Sequence, residues 1–283
     1  MGVYMLIEIL KAIIFGIVEG ICEWLPISST GHLILLEELI TLDVSDNAEF
    51  NIQFRSMFDV VIQLGAILAV IILYFNKLHP FKRKNLSLWT KLITATLPAA
   101  IIGFCADFAC ERLLNVDLDT LIFVPQTVAA ALIIYGIIFI LVERLGKKVP
   151  NGSTPITHRS ALAIGFFQAL AIIPGTSRSG ATILGARILG LDKQSATEFS
   201  FFAAVPAILG ASALKIFEFG GFLAKNNATL TSNALSILII AFITALVISL
   251  IAIKLLLGFI RKHSFIPFGI YRIILGIAVL LML

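Results

Sequence analysis

Long apolar runs separated by short charged loops dominate the chain. Six of them, near 58–76, 92–110, 120–142, 197–217, 236–257 and 265–283, are long enough to cross about 30 Å of hydrocarbon as helices. Two further apolar regions, 4–40 and 160–190, are each interrupted by a cluster of Pro, Gly, Ser and Thr. A helix that breaks at Pro26 or Pro174 and resumes after a few small residues predicts a re-entrant hairpin. Such irregular backbone survives at membrane depth only where it is buried in protein or lines a wet cavity.

Composition agrees with the pattern. Hydrophobic residues make up 59% of the chain, charged residues 13%, and the mean hydropathy is +1.03, whereas soluble domains carry about 25% charge. The expected fold class is therefore an all-α polytopic membrane protein. In 283 residues no loop has room for an independent core, so a single membrane domain is expected. The N-terminal run holds Glu8, Lys11, Glu19 and Glu23 and lacks a basic start, unlike a cleavable signal peptide. Cys22, Cys105 and Cys110 form neither a metal pattern nor an even disulfide set and are read as packing residues.

Loop charge sets the orientation. Lys77, Lys82, Arg83, Lys84 and Lys91 crowd one loop, Arg144, Lys147, Lys148 and Arg159 another, and Arg261 and Lys262 a third. Loops 37–57 (Glu37, Glu38, Asp43, Asp46, Glu49) and 111–119 (Glu111, Asp117, Asp119) are acidic. Basic loops lie on the cytoplasmic side, which puts both termini outside. The net charge of +4 follows from those loops and points to no nucleic-acid partner. Each half then reads as one re-entrant hairpin plus three spans, a first repeat over about 1–148 and an inverted second over about 149–283. Gly16, Glu19, Gly20, Pro26, Ser28 and Ser29 match Gly165, Gln168, Ala169, Pro174, Thr176 and Ser177 if one gap is allowed. Inverted repeats with broken helices place a binding site near the midplane.

The polar residues of the two breaks are the candidate chemistry, because each charge at membrane depth costs about 2.5–3.5 kcal/mol on insertion scales. Gly16, Glu19, Gly20 and Glu23 share one helical stripe. Two carboxylates there suit a hard cation or general-base work, and the glycines admit a closely packed partner. Ser28, Ser29, Thr30, Gly31 and His32 follow. Their hydroxyls fit N-caps, and a serine within reach of a glutamate or histidine also fits a nucleophile. In the second break Thr176, Ser177, Ser179, Gly180 and Thr182 surround Arg178. Backbone amides at a turn into a helix favour anions, and a guanidinium grips phosphate oxygens through two parallel bonds. Gln168 and Ile172 stand where the first half has Glu19 and Glu23, so the acid chemistry belongs to one half.

Glu19-x-x-x-Glu23, the Ser28–His32 run and Pro174-Gly-Thr-Ser-Arg-Ser-Gly-Ala-Thr182 together resemble the bacterial undecaprenyl-diphosphatase (bacitracin resistance) family, as do Asp59–Ala66, Glu198–Phe201 and Phe265–Phe268. The resemblance covers essentially the whole chain. It implies hydrolysis of undecaprenyl diphosphate to undecaprenyl phosphate and inorganic phosphate, recycling the lipid carrier for peptidoglycan and envelope polymers and conferring bacitracin resistance. It implies a divalent cation, magnesium or calcium, held by Glu19 and Glu23. It also implies a bacterial plasma-membrane enzyme whose site faces outside, with Glu19, Glu23, Ser29, His32 and Arg178 in catalysis. The competing reading is a transporter that flips undecaprenyl phosphate through the same inverted-repeat site. A homodimer stays open.

Overall fold

The computed structural model describes residues 2–80, 82–116, 118–146, 149 and 155–282. Of the loop charges counted above, Asp117, Lys147 and Lys148 and the side chains of Lys84 and Asp119 lie outside the described residues, as does the junction between the halves at 148. Among the described residues there are α-helices and two short 3-10 turns but no strand.

The first hairpin consists of α1 (Gly2–Cys22) and α2 (Ser29–Leu39). The Tyr4 hydroxyl donates to the Asp43 carbonyl at 2.8 Å and Lys11 Nζ to that of Thr41 at 2.7 Å. The chain leaving α2 thus returns to the end at which α1 begins. After it come α3 (Ala48–Leu73), α4 (Phe75–Leu78), α5 (Leu86–Leu114), α6 (Leu118–Ile122) and α7 (Pro125–Leu145). The second hairpin runs through α8 (His158–Ala169), a 3-10 turn over Leu170–Ile172 and α9 (Arg178–Ile188). It is followed by α10 (Lys193–Lys225), α11 (Ser232–Lys262) and α12 (Ile266–Met282).

Among the described residues five helices, α3, α5, α7, α10 and α11, are long and apolar enough to cross a membrane; α12 has 17 residues. The multi-pass architecture stands, but the expected span limits need correction. Asn47 accepts a hydrogen bond from the Phe50 amide, so α3 starts ten residues before the apolar run near 58. Asp192 and Thr231 cap α10 and α11 in the same way, each satisfying an amide that has no partner within the helix. The run near 120–142 is divided: α6 stops at Ile122, and Pro125 opens α7, where its missing N–H costs nothing. The first broken region is also less symmetric than expected. α1 runs through 21 residues without interruption, against 12 in α8.

Glycines bring the helices to backbone contact across the halves. A Cβ on Gly16 would stand 2.7 Å from the Ala241 carbonyl of α11, and one on Gly165 would stand 2.5 Å from the Ala95 carbonyl of α5. α7 and α12 cross where Gly136 faces the Gly269 carbonyl and Gly269 the Gly136 carbonyl, each ideal Cβ 2.7 Å away. Small residues of this kind let apolar helices pack closely in lipid. In contrast, α5 buries only Leu92, Ala95 and Pro98, while Phe104, Leu113 and Phe217 stand exposed as lipid-facing side chains do. Charges gather at the ends. Lys77 pairs with Glu198 at 2.8 Å and Lys193 with Glu143 at 3.5 Å at one end, and Arg55 with Asp43 at 3.0 Å at the other.

Candidate active site where two hairpin tips meet

The two breaks are built alike. Ser28 caps α2 with φ 77°, and its hydroxyl accepts from the Gly31 amide; Ser177 caps α9 with φ 70° and accepts from the Gly180 amide. Non-glycine residues seldom hold such dihedrals, which cost on the order of 1–3 kcal/mol and gather at functional sites. The caps also fix the correspondence of the halves. Ser28 matches Ser177 and Gly31 matches Gly180 in the register that aligns Gly16 with Gly165, so the gap expected from sequence is not needed. Ser29 and Arg178 consequently hold equivalent positions, each the first residue of its helix.

Both side chains turn to one carboxylate. Ser29 Oγ donates to Glu23 Oε2 at 2.7 Å, and Arg178 Nη2 donates to Glu23 Oε1 at 2.7 Å. Arg178 Nη1 is tied to the Ser200 carbonyl of α10 at 2.7 Å, while its Nε–H is buried without a partner. Glu23 and Arg178 are both largely buried, their side chains 7% and 14% exposed. Desolvated pairs of this kind are costly to break from one side. The geometry therefore combines a hydroxyl whose proton is already shared with a base and a guanidinium with spare donors for an anion.

Residues 12–278 match the family described as bacitracin resistance protein BacA. The chain belongs to this family. It is 48% identical over 287 residues to a protein of Acetivibrio thermocellus named undecaprenyl-diphosphatase, with 98% of both chains covered. A protein of the same name from Enterococcus faecalis strain V583 is 51% identical over 277 residues, covering 94% of both. One from Desulfitobacterium hafniense is 48% identical over 288 residues, covering 98% of this chain and 96% of its own.

The other candidate residues divide by location. Glu19 is fully buried, and neither of its carboxylate oxygens has a hydrogen-bond partner. Two orphaned oxygens facing the same interior as Glu23 are what a hard cation would complete. Among the described residues no group of three or more His, Cys, Asp or Glu side chains could hold a metal. His32 Nδ1 lies 2.7 Å from the Ser28 carbonyl, and Nε2 lies 2.7 Å from the Tyr271 hydroxyl of α12. A carbonyl only accepts, so Nδ1 carries the proton and, in the neutral ring, Nε2 accepts from Tyr271. Both rings border an apolar cavity of about 880 Å³ lined by Ile21, Leu25, Ile248, Leu255 and Phe268.

Thr30 is half-buried beside this group and Thr176 fully buried. The Ser177 hydroxyl lies 3.1 Å from that of Ser179, which reaches across to the Leu25 carbonyl at 3.2 Å. The Thr182 hydroxyl donates back to the Arg178 carbonyl at 2.9 Å and lies 2.6 Å from the hydroxyl of Ser200. Two further residues reach the site from α12 and were absent from the sequence reading, Tyr271 and the fully buried Arg272. Arg272 carried a signal of its own: it is the one charge between 265 and 283, inside an expected span.

Proposed function

We propose that the chain hydrolyses undecaprenyl diphosphate at the meeting point of the two tips, releasing undecaprenyl phosphate and inorganic phosphate. The observation that carries this is the single carboxylate of Glu23 engaged by both Ser29 and Arg178 at 2.7 Å. Glu23 takes the Ser29 hydroxyl proton as Oγ forms a bond to the terminal phosphorus. The bond from that phosphorus to the bridging oxygen breaks, and undecaprenyl phosphate leaves with the electron pair. Water then cleaves the serine–phosphorus bond and frees phosphate. Arg178, already anchored on the Ser200 carbonyl, turns its spare donors to the phosphoryl oxygens, where charge stabilisation is most of what such transfer requires. Glu19 and Glu23 would hold a magnesium or calcium ion, which supplies neutralisation of the diphosphate charge. The isoprenoid next to the headgroup lies in the apolar cavity, with His32 and Tyr271 at its polar rim.

The same reading treats the chain as an inverted repeat in the bacterial plasma membrane. The shared caps, the α1–α11 and α8–α5 glycine contacts and the reciprocal α7–α12 crossing support it. With the basic end cytoplasmic, the first hairpin enters from outside and the site communicates with the outer face. A cysteine at the exposed Asp46, in a protein lacking Cys22, Cys105 and Cys110, should then react with an impermeant thiol reagent on intact cells. Labelling only in inverted vesicles would reverse the orientation. The decisive assay is phosphate release from undecaprenyl diphosphate by purified protein in detergent, where no compartments exist. Turnover supports hydrolysis; binding of undecaprenyl phosphate with no release would favour the transporter.

A further inference from the structure

Arg272 is a fully buried cation with no acidic partner among the described residues. Its Nη1 donates to the Pro26 carbonyl at 3.2 Å, and its Nη2 donates to the carbonyls of Gly175 and Thr176 at 2.7 and 2.9 Å. The guanidinium carbon stands 5.7 Å from the ring centre of Tyr135 and 6.0 Å from that of Phe139, a setting that attracts a cation. Pro26 precedes the strained cap of α2 by two residues, and Thr176 immediately precedes the strained cap of α9. One planar fork thus holds main-chain atoms of both tips, each next to the turn that aims a reactive side chain.

A buried charge is expensive to keep, and packing alone would be served by an apolar side chain of similar size. What only a guanidinium offers is several donors fixed in one plane. Here those donors set the spacing between two loops whose first helical residues, Ser29 and Arg178, must reach the same carboxylate. We infer that Arg272 is a positioning residue, tying the two hairpin tips through their carbonyls so that Ser29 and Arg178 converge on Glu23. It touches no substrate. The inference rests on the phosphatase reading only for the activity part of its test.

The test uses the full chain in detergent with Trp89→Phe as parent, leaving Trp24 as the one tryptophan of two. Trp24 sits in the first tip, fully buried and edge-on to Phe201 at 5.1 Å, so its emission reports the packing of that tip. Arg272→Lys keeps the charge without the fork and should lower kcat by about tenfold or more. Arg272→Gln should lower it further. In both, KM should move by less than about threefold, and Trp24 emission should shift to the red. Normal kcat with unchanged emission in Arg272→Lys overturns the proposal. So does a loss carried wholly by KM, which would make Arg272 a substrate contact, and so does failure of both variants to fold, which would make it a stability residue. If only the glutamine variant fails to fold, the lysine variant decides. A parent that releases no phosphate counts against the phosphatase reading, and Trp24 emission still decides the tie.

Discussion

The two hairpin tips share one backbone and divide the chemistry. Each has a serine cap at positive φ, bonded to the amide of a glycine three residues on. Each is held by a carbonyl contact to Arg272. At the first helical position, however, one tip carries Ser29 and the other Arg178, and one helix brings Glu19 where the other brings Gln168. In the proposed reaction the acid side supplies a base and a nucleophile, and the other supplies the cation that the base already pairs with. Two tips of like backbone thus need differ in few side chains to form a two-part site, provided that both are pointed at the same carboxylate. The difference in helix length, 21 residues in α1 against 12 in α8, shows that symmetry is kept at the tips and relaxed elsewhere.

The comparison breaks most visibly at Glu23. Glu23→Gln should lower phosphate release by about 10²–10⁴-fold and also destabilise the protein, because Arg178 loses its buried counter-charge. The rate is therefore to be measured per folded molecule, and near-normal turnover would remove the base from the site. Next comes Arg178→Lys, with an expected loss of about 10²-fold; full activity would mean that positive charge suffices without the planar fork. Gln168→Glu makes the second half resemble the first. It should leave turnover within about threefold and cost on the order of 1–3 kcal/mol of stability, because the added charge is buried without a partner. A gain in rate would show that the second half can also serve as the acidic one. The smallest effect sharpens the likeness: Ser28→Ala and Ser177→Ala should each cost about 1 kcal/mol and shift the unfolding midpoint equally. Unequal shifts would show that the two caps carry different loads.

Much of the site was legible because polar residues are scarce in such a chain. Glu23, Ser29 and Arg178 could be singled out simply by lying inside otherwise apolar segments, and the structure brings these three together. Helix limits were less legible. Hydropathy follows the part of a helix that faces lipid, whereas the helix starts at caps such as Asn47 and Asp192 outside that part. Arg272 stood out by the same criterion, as a lone charge in an expected span, but its role was hidden. Its partners are main-chain carbonyls 246, 97 and 96 residues away, and a carbonyl leaves no mark in the sequence. The role of Ser28 and Ser177 as matched caps was likewise hidden, since only the dihedral angles tell which of several adjacent hydroxyls ends the turn.

The crossing of α7 and α12 has a consequence for assembly. Gly136 and Gly269 each present a bare Cα to the other's carbonyl, the reciprocal arrangement that a two-fold axis imposes on identical subunits. In this chain that joint is occupied from within, and a methyl group added on either side would collide with the opposite main chain. A second copy has no access to the same surface and would have to meet the first through outward flanks such as that of α5, whose side chains mostly face lipid. Any contact with a second copy would therefore have to start from a different face.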